Sequence, residues 1–242
     1  MKRKDKKILI IIPCYNESAS VEGVLKDLHG RNPAWDLLVI NDCSKDRTGM
    51  IARHTGLATV LDLPCNLGIG GGVQTGLIYA ERNGYDIAMK FDGDGQHQAS
   101  EINALLQPII NGDADVTIGS RFCQKHDGFK STFTRRIGIK VFEMVNSLLI
   151  QQRITDNTSG FRAYNRRAIE FLADHYPAFD YPEPEEVILL GKNNFRFHEV
   201  FTQMQERTGG TSSIHGYKSV YFMIKVLMSV MMVSIRSPKK QR

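Results

Sequence analysis

The sequence predicts an α/β protein with a mostly parallel open sheet and helices on both faces. Short apolar segments alternate with amphipathic segments at the spacing of βαβ units. The 242 residues are 42% hydrophobic and 24% charged, so the chain can bury a core and is unlike a disordered protein. This length fits one large or two small domains.

Each predicted strand is a short apolar run that ends at polar residues. The first run follows a basic cluster and stops at Pro13 after five aliphatic residues, which is too short for the apolar region of a signal peptide. It is therefore predicted to be a buried strand. The predicted strands are Ile8–Ile12, Leu37–Asn41, Ala58–Leu63, Ile87–Phe91 and Val116–Ser120.

The predicted helices carry apolar residues at positions i, i+3, i+4 and i+7. These stripes are Val21, Val24, Leu25 and Leu28 in one helix and Ile102, Leu105, Leu106 and Ile109 in another. A further helix is predicted at residues 137–150. After Arg121 the chain becomes basic and less regular, so we divide one continuous domain, residues 1–215, into halves at residues 1–120 and 121–215.

The charge of the chain limits its partners. The net charge is +5 and the pI about 9.0, with much of the positive charge near the two ends. This balance favours either a nucleic acid or an anionic membrane surface, but no stripe of stacking aromatic residues supports nucleic acid as a partner. The four cysteines form no CxxC pair, so we expect a reducing cytosol and no disulfide or zinc framework.

Two aspartates directly follow the fourth predicted strand, in the segment Asp92-Gly93-Asp94-Gly95-Gln96. The glycines let the backbone approach a ligand, and the carboxylate and amide oxygens suit Mg²⁺ or Mn²⁺. For an isolated motif of this kind, a solvated turn is the alternative.

Polar loops also follow the first and second predicted strands, at residues 13–17 and 41–48. Because parallel strands end at one edge of a sheet, these loops should converge with the aspartate segment into an acidic cleft. Asp42 lies directly at its strand end and is the better ligand candidate, whereas Ser44 and Asp46 are also typical helix N-caps. Tyr15 would lie against a base.

Residues 66–76 form a glycine-rich entry to a helix, where backbone amides suit phosphate. The spacing matches neither GxGxxG, because Val73 stands at the third glycine position, nor the P-loop pattern. A tight turn with close helix packing is the alternative.

Six ordered motifs together resemble glycosyltransferase family 2, and especially its polyprenyl-phosphate or dolichyl-phosphate sugar synthase-like branch. The motifs are residues 13–17, 41–48, 66–68, 92–97, 119–121 and 159–162. The resemblance implies the GT-A fold, a nucleotide-sugar donor, Mg²⁺ or Mn²⁺, and inversion at the anomeric carbon. Residues 1–120 would then form the nucleotide-sugar half and residues 121–215 the acceptor half.

The resemblance also implies roles for individual residues. The expected donor ligands are Pro13, Tyr15, Glu17, Asp42, Asp92, Gly93, Gln96 and Arg207, and the expected metal ligands are Asp92, Asp94 and Gln96. Three positions depart from the family pattern, since Asn41 replaces an aspartate, Cys43 replaces a glycine, and Ile69 stands where relatives often have a basic residue. The asparagine keeps an acceptor oxygen without the charge, which affects base selectivity more than binding.

The acceptor decides which further groups are needed. A sugar hydroxyl needs a carboxylate base, whereas a lipid phosphate is already ionised and needs cations to position it. The basic residues predicted to bind an acceptor phosphate are Arg121, Arg135, Arg136 and Arg162, with Lys130 nearby. A solvated basic face is the alternative. The predicted catalytic residues are Asp92, Asp94 and Arg121.

Residues 216–242 form an apolar segment with a basic tail. The sixteen residues 220–235 would reach roughly 24 Å, short of the ~30 Å hydrocarbon core, so this helix should lie at the membrane surface rather than span it. A homo-oligomer or a small membrane protein would assist this association. The alternative is a helix packed on the protein's own core or on a second subunit.

These observations predict a peripheral enzyme on the cytoplasmic face of the membrane. It would transfer one hexose-type sugar from a nucleotide-sugar to a polyprenyl phosphate during the assembly of a cell envelope polysaccharide. One alternative is transfer to a saccharide hydroxyl, and another is a non-catalytic nucleotide-sugar-binding scaffold. The intact metal motif argues against the scaffold.

Overall fold

The computed structural model describes residues 6–123, 150–177 and 182–203. Within these ranges, seven strands form one mixed, mostly parallel sheet in the order β3-β2-β1-β4-β6-β5-β7. The strands are β1 (Ile8–Cys14), β2 (Asp36–Asn41), β3 (Thr59–Asp62), β4 (Ile87–Lys90), β5 (Val116–Ser120), β6 (Arg162–Asn165) and β7 (Phe197–Phe201). The helices are α1 (Val21–Arg31), α2 (Thr48–His54), α3 (Gly68–Arg82), α4 (Ile102–Asn111), α5 (Arg166–His175) and α6 (Glu183–Lys192).

The centre of the sheet is β1, which pairs in parallel with β2 and β4. Its side chains alternate between two apolar clusters: Ile10 and Ile12 belong to one cluster, and Leu9 and Ile11 to the other. This alternation is expected of a strand that is covered on both faces. All five predicted strands are confirmed, with ends that differ by one or two residues.

Helices cover both faces, as predicted. The apolar stripes of α1 and α4 pack on one face of the sheet, and α3, α5 and α6 pack on the other. Each fully buried Leu or Ile in these clusters contributes roughly 1.5–3 kcal/mol through removal of apolar surface from water. The helix predicted at residues 137–150 lies outside the described residues except for Ile150.

Strands β6 and β7 were not predicted. Strand β6 runs antiparallel between β4 and β5, and β7 pairs in parallel with β5. Both strands come from residues 121–215, so the two halves of the chain contribute to the same sheet. The apolar pattern of β6 is obscured because Arg162 is fully buried and Tyr164 is hydrogen-bonded in the interior.

No helix among the described residues is long and apolar enough to cross a membrane. The predicted membrane-associating segment, residues 216–242, lies outside the described residues. The loops after β1, β2 and β4 begin at the carboxyl edge of the sheet. The predicted site lies at this edge.

Candidate functional site

The loop after β4 carries the two aspartates of the predicted metal motif. The backbone amide of Gln96 donates a hydrogen bond to Asp94 Oδ1 at 3.0 Å, which closes a tight turn on the aspartate side chain. Asp94 is mostly buried, with 8% of its surface exposed. Gly93 is required by the packing, because a Cβ at this position would lie 2.6 Å from Cys14 Sγ. The metal motif is therefore pressed against the end of β1.

Asp92 is oriented by the imidazole of His97. The backbone amide of Asp92 donates to His97 Nδ1 at 3.4 Å, and His97 Nε2 lies 3.5 Å from Asp92 Oδ2. The ring stacks on Phe161 and meets the edge of Phe91. Burial lowers the pKa of His97 and outweighs the opposing effect of Asp92 and Asp94. The imidazole is thus neutral at pH 7, with Nδ1 as the acceptor.

The loop after β1 contacts the metal motif through Ser20. The Ser20 hydroxyl oxygen lies 2.8 Å from the Gly93 carbonyl oxygen and 3.0 Å from Glu17 Oε2. This contact places Glu17, a predicted donor ligand, beside the turn that carries Asp92 and Asp94. Tyr15, in the same loop, is 42% exposed, as a ring available to stack on a base would be.

The loops after β1 and β2 are joined by hydrogen bonds. The backbone amide of Asn16 donates to Ser44 Oγ at 3.0 Å, and the amide of Lys45 donates back to Asn16 Oδ1 at 2.8 Å. The amide of Glu17 donates to Thr48 Oγ1 at 2.8 Å. Three hydrogen bonds therefore connect the two loops.

Asp46 completes this connection as an acceptor. Its Oδ2 accepts from the Ser18 amide at 3.1 Å, and its Oδ1 accepts from the Thr48 amide at 2.9 Å and from the Thr48 hydroxyl. Burial opposes ionisation of this carboxyl, but the hydrogen bonds from Thr48 and Ser18 outweigh it and lower the pKa of Asp46 to about 2. Asp46 therefore joins the two loops, while the N-cap position of α2 is Arg47 and not Asp46.

Asp42 is buried at the end of β2, where it was predicted to bind the donor. Its Oδ1 accepts a hydrogen bond from the Leu67 amide at 2.7 Å, and its carbonyl oxygen accepts from Asn66 Nδ2 at 3.2 Å. The Gly68 amide donates to Asn66 Oδ1 at 3.2 Å. The amides of Leu67 and Gly68, at the entry to α3, are thus bound within the protein.

The glycines of α3 serve close packing. A Cβ at Gly76 would lie 2.3 Å from Ile11 Cγ2 on β1, and a Cβ at Gly71 would lie 2.4 Å from Leu67 Cβ. Only glycine permits α3 to approach the central strand so closely. These distances favour the packing alternative for the glycine-rich segment.

The carboxylates around the end of β1 form an acidic cleft. The pKa of the Cys14 thiol is raised well above its ordinary value, first by burial and then by the nearby charges of Glu17, Asp92, Asp46 and Asp94. Four carboxylates thus lie near this buried thiol. A cation would reduce their repulsion of a bound diphosphate.

The donor set fits a hard divalent cation shared with a ligand. Among the described residues, no group of three or more His, Cys, Asp or Glu side chains is arranged to hold a metal ion. Mg²⁺ commonly takes one or two carboxylates together with substrate phosphates and water. Asp92 and Asp94, with the amide oxygen of Gln96, supply oxygen ligands of this kind, so the residues fit the predicted metal.

Arg121 follows β5 and forms a two-pronged ion pair with Asp156. Its Nε donates to Asp156 Oδ2 at 2.7 Å and one terminal nitrogen donates to Oδ1 at 2.8 Å. The same nitrogen also donates to Thr158 Oγ1 at 2.9 Å. Burial alone would lower the pKa of Arg121, but Asp156 outweighs it and raises the pKa, so the guanidinium is charged.

Arg162 is fully buried at the start of β6. Its guanidinium donates to four oxygen atoms of the protein at 2.8–3.1 Å. These acceptors are the carbonyl oxygens of Ser159, Asn157 and Glu183 and the carboxylate of Glu186. With 0% of its surface exposed, the residue is placed to hold the preceding loop. This burial argues against the predicted direct contact of Arg162 with an acceptor phosphate.

A model of the Glycosyl transferase family 2 matches residues 9–172, more than half of the chain. The chain belongs to glycosyltransferase family 2. It is 28% identical to the UDP-N-acetylglucosamine–dolichyl-phosphate N-acetylglucosaminyltransferase of Methanococcus voltae, over 93% of this chain and 97% of that protein. It is 31% identical to the polyprenol monophosphomannose synthase of Mycolicibacterium smegmatis, over 69% of this chain and 65% of that protein.

Solved structures identify the fold of this family 2 enzyme as GT-A. Glucosyl-3-phosphoglycerate synthase from Mycobacterium tuberculosis, in complex with Mn²⁺, UDP and glucosyl-3-phosphoglycerate, superposes with a TM-score of 0.72 at 16% identity. The superposition covers 95% of this chain and 80% of that one. At this level of identity, the likeness establishes the fold alone.

The described part of this family 2 chain brings most of the predicted donor residues to one edge. Pro13, Tyr15, Glu17, Asp42, Asp92, Gly93, Asp94 and Gln96 all lie in the loops after β1, β2 and β4, or at the ends of these strands. Arg121 lies after β5. Lys130, Arg135, Arg136 and Arg207 lie outside the described residues, so their predicted roles stay predictions.

Sequence reasoning missed several charged residues next to the site. Lys90, the last residue of β4, is buried against Glu183, and Asp156 is the partner of Arg121. The available signals were a lysine at the end of an apolar strand and three glutamates in the segment 182–186, at the start of α6. Lysine and glutamate are rarely buried in proteins, but the structure buries this lysine and these glutamates.

Proposed function

We propose that this glycosyltransferase moves a hexose-type sugar, with inversion, from a nucleotide-sugar to a polyprenyl phosphate. The named relatives act on dolichyl phosphate or make polyprenol monophosphomannose, and each aligns with most of this chain. An undecaprenyl-phosphate mannosyltransferase of Micrococcus luteus is 29% identical over 87% of this chain and 88% of that protein. The shared acceptor class of these relatives supports the proposal.

The pairing of three carboxylates in the described part of the acceptor half is the observation that carries it. Asp156 is paired with Arg121, and Glu186 with Arg162. Glu199 accepts hydrogen bonds from the backbone and hydroxyl of Thr155. Burial opposes ionisation of Asp156, but the pairing with Arg121 outweighs it and lowers the pKa of Asp156 below its ordinary value, which makes this carboxylate a poor base. A lipid phosphate needs no base, so the pairing of these carboxylates in the described part of the acceptor half favours it over a hydroxyl acceptor.

On the donor side, Asp92, Asp94 and Gln96 would hold the divalent cation. When bound, the cation would stabilise the negative charge that develops on the departing nucleoside diphosphate. Glu17 and Asp42, with the exposed ring of Tyr15, would orient the nucleoside. His97 would help to position Asp92, since it accepts a hydrogen bond from the Asp92 backbone amide and lies beside the Asp92 carboxylate.

On the acceptor side, Arg121 would work with Arg135 and Arg136 to position the lipid phosphate. The pairing with Asp156 fixes the guanidinium plane of Arg121. Arg162 would act from the protein interior, where it holds the loop of Asn157 and Ser159. Residues 216–242 would bring the enzyme to the cytoplasmic face of the membrane, with a second subunit or a small membrane protein as a further partner.

The proposal is tested by supplying donors and acceptors separately. Purified enzyme with Mn²⁺ or Mg²⁺ is incubated with a panel of UDP- and GDP-sugars and a polyprenyl phosphate, and products are identified by mass spectrometry. A polyprenyl-phosphate sugar supports the proposal. Transfer to saccharide hydroxyls alone would move the hydroxyl-acceptor alternative ahead, and the absence of both transfer and donor hydrolysis would favour the scaffold.

A further inference from the structure

A buried lysine lies directly behind the metal motif. Lys90, at the end of β4, has 2% of its surface exposed. Its Nζ donates to Glu183 Oε1 at 2.7 Å and lies 3.9 Å from Asp92 Oδ1. The ammonium thus has two carboxylate neighbours and is hydrogen-bonded to the one that is not in the metal motif.

The ammonium lies in the interior between these two carboxylates. A buried positive charge of this kind needs a carboxylate partner. If Glu183 were neutral, Asp92 would be the remaining carboxylate that the structure places beside the ammonium.

The backbone at Gly160 leaves space for the side chains of Lys90 and Asp92. A Cβ at Gly160 would lie 2.9 Å from Lys90 Nζ and 3.2 Å from Asp92 Oδ2. The absence of a side chain at Gly160 therefore leaves space for both groups. Glu183 lies in the first turn of α6. Lys90 therefore connects this helix to the metal motif.

We propose that Glu183 holds the Lys90 ammonium on its own carboxylate and so limits the competition of that ammonium with the metal cation for Asp92. Lys90 and Glu183 are positioning residues in this arrangement, and neither contacts the donor. The inference rests on the proposed metal-dependent function, because it concerns the affinity of Asp92 for a cation.

The neighbouring ion pair supplies a matched control. Arg162 lies opposite Lys90 in the register of β4 and β6, and it pairs with Glu186, one turn further along α6. Glu186→Gln also removes a buried charge from the same helix. The Glu186 carboxylate accepts hydrogen bonds from Arg162 and Tyr164.

The test measures Mn²⁺ binding without turnover. Free Mn²⁺ is followed by electron paramagnetic resonance with UDP and, in parallel, with GDP, and unfolding midpoints are recorded for each variant. Glu183→Gln should weaken Mn²⁺ affinity about tenfold, because the ammonium then turns to Asp92. Glu186→Gln should lower the unfolding midpoint while it leaves Mn²⁺ affinity unchanged.

The double variant Lys90→Met with Glu183→Gln has no buried charge left unpaired, so it remains informative if Glu183→Gln does not fold. Its Mn²⁺ affinity should equal or exceed that of the unsubstituted enzyme. An equal effect of Glu183→Gln and Glu186→Gln on Mn²⁺ affinity, or a tenfold loss in the double variant, would overturn the inference. No Mn²⁺ uptake by the unsubstituted enzyme with either nucleotide would overturn the metal-dependent function itself.

Discussion

The Asp42 carboxylate accepts a hydrogen bond from the Leu67 amide at 2.7 Å and ties the end of β2 to the start of α3. The same carboxylate is predicted to bind the donor nucleoside. One residue would therefore have a structural and a binding role, and two substitutions separate them.

Asp42→Asn keeps an oxygen that can accept from Leu67 but removes the charge. We expect donor affinity to fall about tenfold, or ~1.4 kcal/mol, with little change in stability. Asp42→Ala removes both roles and should also lower the free energy of unfolding by about 1 kcal/mol. Calorimetric titration with UDP and GDP, together with urea unfolding, measures both quantities. Normal nucleotide binding by Asp42→Asn would show that the residue acts only through Leu67.

Asp94→Asn tests the metal motif with little disturbance of its turn. The asparagine oxygen can still accept from the Gln96 amide, so the fold should be retained, while the loss of charge should lower the transfer rate about 100-fold or more. Asp113→Asn, at an exposed position after α4, is the control and should be active. A nearly normal rate at saturating Mn²⁺ with unchanged metal affinity would exclude Asp94 as a metal ligand.

Local sequence predicted the parts of the site that lie next to strand ends. Asp42, Asp92 and Asp94 follow apolar runs, so their places at the sheet edge could be inferred from the strands alone. The contact between Lys90 and Glu183 joins residues 93 positions apart, and no local pattern encodes it. Strand β6 was missed for a related reason, because its buried arginine is stabilised by partners distant in the sequence.

The basic residues are harder to assign from the sequence. Arg121 and Arg162 were predicted to bind an acceptor phosphate, and the structure gives each of them a buried carboxylate partner. The sequence alone does not distinguish an arginine that contacts a ligand from one that pairs with a buried carboxylate. The difference depends on Asp156 and Glu186, whose proximity only the folded structure reveals.

Thr48→Val should raise the pKa of Asp46 from about 2 toward the ordinary aspartate value of about 3.9. The Thr48 hydroxyl bonds to Asp46, and the Glu17 amide donates to it, so its loss also loosens the two loops. A depressed pKa in the folded state stabilises the protein above pH ~4, and this stabilisation is lost as the pH falls toward 2. The variant should therefore lose less stability over that window. Carboxyl ¹³C NMR measures the pKa, and an unchanged value would contradict the assignment.

Arg121→Gln should lower the free energy of unfolding by about 3 kcal/mol, because it leaves Asp156 buried without its cation. Lys26→Gln is the control, since Lys26 forms an exposed pair with Glu22 and should matter little. Urea unfolding at pH 7 measures both. Equal effects of the two substitutions would show that the Arg121 pair contributes no more than a surface contact.

Removal of residues 220–242 should separate lipid binding from donor binding. The predicted donor ligands other than Arg207 lie at or before Gln96, and the truncation retains Arg207 as well, so the shortened protein should bind nucleotide and Mn²⁺ normally. It should also leave the membrane fraction and transfer sugar poorly to polyprenyl phosphate, because the apolar segment and its basic tail are the predicted membrane contacts. Flotation with anionic vesicles and nucleotide titration measure the two properties. If the truncated protein instead loses nucleotide binding and cooperative unfolding while the full-length protein never binds vesicles, the segment packs on the protein itself, and a saccharide hydroxyl becomes the better acceptor.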